Sequence, residues 1–415
     1  MIGIIGGGIS GLVLGNELLG FGTDFVLLEA SGRTGGVVWS QECDGLNVEL
    51  GPQRSRLTPV FRELVENVGL SEELVTAPAG LPLFVYSRGE LRIAPLSLKQ
   101  AITTNLIPLS SKTNIMLDFL RSGPKFDETT GAFLRRKFGV TAYRNLFGPI
   151  YGGTYGSDPD RMLARHGIKQ TLGNMGLGRS ISWGILRAYR NADQALICSF
   201  REGLSALPKA LQDRLGDRVR LECPVRTIQK TSNGWEVIVG TMPPLSVSQL
   251  VLACPADQAA KIVQDVAPEA SAKLSILRYN PLAVVHMRSE ADLYGLGYQI
   301  AFGEPFRTRG VTWNHSLFRN PGLYTAYLGG MNDPDIVDQT DDYIGSIACQ
   351  EFKTITGYDS EMLMVSRTRM PSWDESWNGI SSLNLPDGLH ICSNYLARPG
   401  IVGRILEAQE LACRL

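Results

Sequence analysis

An α/β fold, α+β taken over the whole chain, is predicted by three features of the sequence. The chain opens with a short apolar run, a glycine-rich turn and a helical pattern, in that order. A second apolar run ending in a carboxylate follows, eighteen residues past the last glycine of the turn. Strand-like runs then recur as far as the C-terminus, with helical stretches between them. At 415 residues the chain is long for one core, so two or three lobes are expected.

The opening run Ile2 to Ile5 reads as a buried parallel strand and Leu12 to Leu19 as a helix. Between them stands Gly6-Gly7-Gly8-Ile9-Ser10-Gly11. In a Rossmann-like unit Gly6 permits the tight turn, Gly8 lets a pyrophosphate approach the backbone, and Gly11 lets the helix pack closely on the strand. The phosphates then face the unpaired N–H groups at the helix start, around Ile9 and Ser10, where the dipole favours negative charge. The second strand, Phe25 to Leu28, ends in Glu29, whose carboxylate is placed to accept hydrogen bonds from both hydroxyls of an adenosine ribose. That carboxylate would repel a 2′-phosphate and so argues against NADP.

Ser31-Gly32-Arg33-Thr34-Gly35-Gly36 then adds a cation and further glycines, and Val48-Glu49-Leu50-Gly51-Pro52 follows. The set resembles the FAD-binding half of the amine oxidase, phytoene desaturase and protoporphyrinogen oxidase superfamily. The resemblance implies that Glu29 and Ala30 lie at the ribose, that Arg33, Gly35 and Gly36 wrap the diphosphate, and that Gly51 and Pro52 approach the flavin. Val37 stands where many relatives carry arginine.

Composition narrows the class of partner. Forty basic and forty-one acidic side chains give a net charge of −1 without a long like-charge block, which argues against nucleic acid. Near-neutrality offers little repulsion against self-association or a membrane surface, so a homodimer and a peripheral membrane contact stay open. Glycine, 45 of 415 residues or about 11% against roughly 7% on average, fits a backbone that approaches a large cofactor at several points. Seven scattered cysteines form no CxxC pair, and the four histidines show no metal-ligand spacing. A reducing cytoplasm is the expected location, with attachment to the inner membrane face as its extension. The N-terminus lacks a basic leader and carries Glu17 inside its apolar stretch, and no run reaches eighteen apolar residues, so neither a signal peptide nor a spanning helix is expected.

Thr58 to Leu70 reads as a helix with a threonine cap and a glycine stop at Gly69. Leu83 to Tyr86 and Leu91 to Ile93 read as a hairpin turning at Ser87-Arg88-Gly89-Glu90. In the resembling family such a hairpin leads into the substrate cavity behind a basic residue that meets a propionate. Here Pro82 and Leu83 stand in that place, with Arg88 or Arg92 as replacements. From Ser97 to Gly148 the pattern is helical. The run Thr130 to Gly139 mixes apolar and basic faces, which suits either an anionic membrane or a solvated helix over a core.

Gly148 to Leu163 resembles the family's glycine-rich bend before a small-Asp-Pro step. Gly152 and Gly153 would expose backbone carbonyls to pyrrole N–H groups. The same residues also fit a loop that ends at Asp158 and Pro159 as a helix start. Ser199 to Leu211 resembles the superfamily's return into the FAD lobe, and three short strands follow between Val219 and Val239, with Ser232-Asn233-Gly234 as a turn. The resemblance places the Val225 backbone at the adenine edge. Leu250 to Ala256 would be the next crossing strand. Residues 257–386 read as strands and loops of a sheet-based substrate domain, whose aromatic rings serve as core or as a stacking surface. Leu389 to Leu406 reads as a strand, a glycine turn and a final helix. By resemblance that helix aims its N-terminus at the flavin through Gly400, Ile401 and Val402, and Ser393 replaces the family's usual glycine.

The expected organisation is therefore a discontinuous Rossmann-like FAD-binding domain (1–80, 194–256, 387–415), an interleaved substrate domain (81–96, 257–386) and a mostly helical lobe (97–193) with a membrane-associating surface. Spaced landmarks along nearly the whole chain identify a protoporphyrinogen-oxidase-like flavoenzyme. Such an enzyme oxidises protoporphyrinogen IX by six electrons in haem biosynthesis, passing hydride to FAD, with O2 as acceptor. Gly153, Thr154 and Phe302 are the expected substrate contacts, with no general base and no metal. Alternatives are oxidation of coproporphyrinogen III, an amine oxidase using Tyr395 and the Trp373/Trp377 pair, a carotenoid-type desaturase, and a GDP-dissociation-inhibitor-like binding protein.

Overall fold

The computed structural model describes residues 1–95, 100, 103–168, 180, 196–240, 242–318, 320–396 and 400–415. Much of the sequence-predicted lobe after residue 168 lies outside the described residues, as does the turn 397–399.

Five strands form a wholly parallel sheet in the order Val219–Arg220, Phe25–Leu28, Ile2–Ile5, Gln249–Leu252, Leu389–Ile391. The two N-terminal strands are buried on both faces, which is why they read as unbroken apolar runs and not as alternation. One face of the sheet, through Ile2, Ile4, Phe25, Leu27 and Val251, packs against the helices Ile9–Gly20, Ala206–Leu215 and Ile401–Ala412. The other face, through Ile5, Val26, Leu28, Leu250 and Leu252, packs against an antiparallel three-stranded sheet, Val225–Thr231, Gly234–Val239 and Leu245–Val247. Parallel neighbours need long crossovers, so the sheet collects its strands from both ends of the chain and from the middle.

A second, seven-stranded sheet runs Glu361–Pro371, Tyr279–Arg288, Leu323–Gly329, Thr308–Thr312, Gly297–Ile300, Leu83–Ser87, Glu90–Ile93. The hairpin forms as its sequence predicts. Arg88 and Gly89, both at positive φ (57° and 80°), make the two-residue turn. It joins the rest of the sheet by parallel pairing of Leu83 with Gly297. Ala283, Val285, Met287, Tyr298, Val311, Tyr324, Ala326 and Leu328 lie in one core cluster, with the helix Asp341–Thr356 packed over them. Period-two alternation therefore turns Gln299, Gly310, Tyr327 and Val284, one row in register, to the opposite face. The next row on that face is Thr312, Thr325 and His286.

The reading of 257–386 as strands and loops needs correction. Helices Ala256–Val263, Pro268–Ser275 and Asp341–Thr356 fall in or at the edge of it. The last carries a full set of local signals: the Thr340 hydroxyl accepts from the Tyr343 N–H, Ile344, Ala348 and Phe352 recur four apart into the core, and Gly357 ends the helix at φ 83°.

In the helical lobe, Leu109–Met116, Thr130–Phe138 and Gly148–Tyr155 are helical, with a π-helical turn at Tyr143–Phe147. Of the two readings of Thr130–Phe138, the structure shows the helix over a core. Phe133, Leu134 and Phe138 are buried, and each basic residue has an acidic partner: Arg135 with Asp160 (2.6 Å), Arg136 with Glu128 (2.7 Å), Lys137 with Asp118 (3.9 Å). Among the described residues no helix is long and apolar enough to cross a membrane. Lys137 and Asp118 are both fully enclosed, and Ser180 also donates to Asp118. Truncation of Lys137 to alanine removes the ammonium that faces this buried carboxylate, so Lys137→Ala is expected to lower unfolding free energy by about 3–5 kcal/mol. Urea denaturation reads this directly, and a loss below about 1 kcal/mol would show that the pair does not hold the lobe together.

Candidate cofactor and substrate site

The glycine turn behaves as its spacing demands, and each glycine has a separate reason. Gly6 sits at φ 115°, and a Cβ there would lie 2.8 Å from the Ala253 backbone. A Cβ on Gly11 would lie 2.0 Å from the Gly6 carbonyl oxygen, so only hydrogen fits between strand and helix. At Gly8 a Cβ would meet nothing within 4 Å. Gly8 thus borders open space at the start of Ile9–Gly20. Among the described residues no side chain caps this helix and no acidic residue occupies its first turn. The leading N–H groups are left for an anion from outside the chain.

Glu29 fixes the turn from the neighbouring strand. Its Oε2 accepts the Gly7 N–H at 2.6 Å, and its Oε1 accepts the Ser31 N–H and hydroxyl at 2.9 and 2.8 Å. Ala30 next to it is exposed. Gly35 donates its N–H to the Gly7 carbonyl at 2.8 Å, and a Cβ on Gly36 would come within 3.3 Å of Gly8 Cα. The two glycine pairs, each predicted separately, therefore lie side by side. Arg33 folds over this second turn, donating to the carbonyls of Thr34 (3.2 Å) and Gly36 (3.0 Å), with its guanidinium 4.1 Å from the Trp39 ring centre.

Gly51 faces the same region from below, since a Cβ there would overlap the Val37 carbonyl oxygen at 1.8 Å. Gln53, after Pro52, donates to the carbonyls of Glu49 (2.7 Å) and Gly51 (3.2 Å) and accepts from Asn314 Nδ2 (3.2 Å). At the other end of the sheet Gly400, at φ 90°, begins the helix Ile401–Ala412 without a side-chain cap among the described residues. Ile401 is buried and Val402 half-buried. Val225 begins its strand opposite Val239, at a bulge.

An uncapped helix start, a carboxylate at the end of the adjacent strand, and backbone that no side chain could replace are what an extended dinucleotide needs. A scan against family models matches residues 9–388 to the flavin-containing amine oxidoreductases. The chain belongs to that family. It is an FAD-dependent oxidoreductase, and the cradle of Gly8, Gly36 and the Ile9–Gly20 N-terminus fits that cofactor. The chain is 29% identical over 394 residues to protoporphyrinogen oxidase 1 of Spinacia oleracea, covering 85% of this chain and 70% of that one. It is 24% identical over 413 residues to the coproporphyrinogen III oxidase of Bacillus subtilis, covering 90% and 86%. A solved structure from Exiguobacterium sp. 255-15 that carries a provisional protoporphyrinogen oxidase name shares the fold, with a TM-score of 0.79 at 21% identity and coverage of 100% and 98%.

The expected substrate contacts are only partly brought together. The segment read as a glycine-rich bend is the helix Gly148–Tyr155, and the Gly152 carbonyl already accepts the N–H groups of Gly156 and Ser157, so it is not offered to a ligand. The reason is that Pro149 sits in the first turn of this helix and Gly156 ends it at φ 58°. Gly153 and Thr154 are exposed. Gly153 lies directly over Gln299, whose Oε1 would be 2.3 Å from a Cβ, and Thr154 spends its hydroxyl on the Ile150 carbonyl. Phe302 is wedged against Gly148 and meets Tyr143 edge-on at 5.5 Å. Trp373, Trp377 and Tyr395 are buried together in the core, with Trp377 Nε1 donating to the Tyr395 carbonyl, and do not form an open aromatic cage.

The sequence assigns no role to Glu49, Gln53, Gln299 or Asn314, although Glu49 stands in the Val48–Pro52 segment and Gln299 and Asn314 stand in strand-like runs of the substrate domain. Glu49 is enclosed, accepting from the Leu204 N–H (2.7 Å) and the Ser40 hydroxyl (2.7 Å), and burial pushes its pKa up to about 7. The folded protein then keeps a proton that the unfolded chain releases near pH 4.5. Stability contributed by this group therefore falls as pH rises from about 4.5 to 7, by on the order of 3 kcal/mol. Glu49→Gln is expected to flatten that part of the stability–pH profile in urea titrations. An unchanged slope would place the titration elsewhere. The glycines give a paired test: Gly11→Ala should fail to fold stably, whereas Gly8→Ala should fold and bind FAD at least about tenfold more weakly, seen by ultrafiltration and absorbance. Equal behaviour of the two variants would refute their separate roles.

Proposed function

We propose that this chain is a porphyrinogen oxidase, converting protoporphyrinogen IX to protoporphyrin IX with O2 as the final acceptor. The observation that carries the reading is the short segment Gly51 to Arg54. It leaves the cofactor cradle and lands on the polar face of the seven-stranded sheet, where Gln53 joins the carbonyls of Glu49 and Gly51 to Asn314. A substrate lying on that face is thereby held beside the redox end of the cofactor. The relatives named as porphyrinogen oxidases support the substrate class.

In this reading Glu29 holds the ribose, Ile9, Ser10, Arg33, Gly35 and Gly36 hold the diphosphate, and Gly400 to Val402 face the flavin. FAD, when bound, supplies the hydride acceptor. The chain's own part is positioning: Gly153 brings the helix Gly148–Tyr155 down on Gln299, and Gly310 lets the Gln299 amide lie flat across the sheet face, since a Cβ there would lie 2.8 Å from Gln299 Nε2. A flat macrocycle needs such a floor. The scarcity of cations here favours protoporphyrinogen, which carries two propionates, over coproporphyrinogen, which carries four. Leu83 is uncharged, Arg88 sits exposed at the hairpin turn, and Arg92 is engaged by Glu90 (3.3 Å) and the Asn105 carbonyl (3.4 Å).

Anaerobic addition of each porphyrinogen to the purified holoenzyme tests the proposal. Flavin absorbance should bleach as porphyrin fluorescence grows, faster with protoporphyrinogen IX. The reverse order would move the chain to coproporphyrinogen oxidation, and bleaching by neither would remove the haem-pathway reading.

A further inference from the structure

Arg54 is a half-buried cation with no anion beside it among the described residues. It follows Gln53 on the loop from the cofactor cradle, and among the described residues it makes no hydrogen bond and no ion pair. Its Nη1 is closed off from solvent without a partner, although the residue as a whole is only half-buried. Burial holds its pKa below the usual arginine value, and only the Tyr327 phenol opposes that shift, while the like charge of Arg56 adds to it. A guanidinium withdrawn from water without an acceptor is costly, and the cost is removed when an anion arrives.

Its surroundings say which anion. Tyr327 lies on the polar face of the large sheet, in register with Gly310 and Gln299, and Gln299 lies under Gly153. Tyr327 lies about two strand spacings, or roughly 10 Å, from Gln299 on this floor, and Arg54 is within electrostatic reach of Tyr327. The diphosphate end of the cofactor has its own cation, Arg33, packed on Gly36 and Trp39. Of the other cations near the sheet, Arg92 is paired with Glu90 and Arg88 is at the exposed turn, while Arg309 is within electrostatic reach of Asp158, Asp333 and Glu351, although burial still holds its pKa below the usual arginine value. Tyr327 is itself oriented by a 3.0 Å hydrogen bond between its hydroxyl and that of Thr312.

We propose that Arg54 anchors a carboxylate of the substrate, in place of the cation missing at Leu83. The assignment rests on the porphyrinogen-oxidase reading. A planar fork of N–H donors matches a carboxylate in bidentate geometry, and one such anchor orients a macrocycle that carries its carboxylates on one edge.

The test uses the FAD-loaded protein and oxidised ligands, so that no turnover is needed. Protoporphyrin IX and its dimethyl ester are titrated against wild type, Arg54→Gln and Arg54→Lys, with tryptophan quenching as readout and FAD affinity measured in parallel. Wild type should favour the free acid at least about tenfold, Arg54→Gln should lose that preference with FAD affinity unchanged, and Arg54→Lys should recover part of it. Without its stranded charge the apo form of Arg54→Gln should also resist urea at least as well as wild type. Absence of the preference in wild type, or its survival in Arg54→Gln, overturns the proposal. So does a loss of FAD affinity in Arg54→Gln with the preference intact, which would assign Arg54 to the cofactor. If wild type binds no tetrapyrrole, naphthalene-2-carboxylate and its methyl ester replace the pair. An Arg54-dependent preference for the acid then keeps the anchor while the porphyrinogen reading falls, and its absence removes both.

Discussion

The close approach of the first helix to the first strand is the constraint on which the rest depends. Hydrogen is the only substituent that fits between Gly11 and the Gly6 carbonyl. That contact sets the helix start at the edge of the parallel sheet, with its N–H groups facing out. Once the turn is fixed, Glu29 locks it through the Gly7 N–H, and Gly35 pairs with Gly7 beside it. The arrangement is made almost wholly of backbone, so a cofactor held there would be met by groups that cannot change rotamer.

From that corner a polar connection runs into the second sheet. Gln53 links the Glu49 and Gly51 carbonyls to Asn314, Asn314 accepts from Thr325, and the Thr325 hydroxyl lies 3.3 Å from His286 Nδ1. His286 is fully buried, and burial brings its pKa down to about 4, so the chain of contacts ends on a neutral ring near pH 7. Side chains satisfied on both sides resist sliding, and here they tie the cofactor loop to the face on which the substrate is proposed to lie.

Charge is handled in opposite ways in two parts of the molecule. In the helical lobe, the basic residues of Thr130–Phe138 each find a carboxylate, and a helix that looks amphipathic in sequence becomes an interior element. At the junction of the two sheets, Arg54 finds none. Buried ion pairs add little net stability, but an uncompensated buried charge is expensive, and this difference between the two regions is the ground for proposing an outside anion at Arg54.

By itself the sequence determined what rests on local geometry. It set the glycine turn and its carboxylate, the threonine-capped helix Pro59–Asn67 and the hairpin at Arg88-Gly89, because φ, capping and apolar periodicity act over a few residues, whereas the gathering of distant strands into one sheet came from the family resemblance. The helix Asp341–Thr356 is equally local, with cap, period and stop all present in the sequence. Gly148–Tyr155 was ambiguous, since the same glycines suit a bend and a helix until neighbours close around them. The isolation of Arg54, the pairing of Lys137 with Asp118, and the landing of Gln53 on Asn314 were decided only by the tertiary structure. Whether a charge or an amide has a partner depends on which strands, far away in the chain, are folded against it.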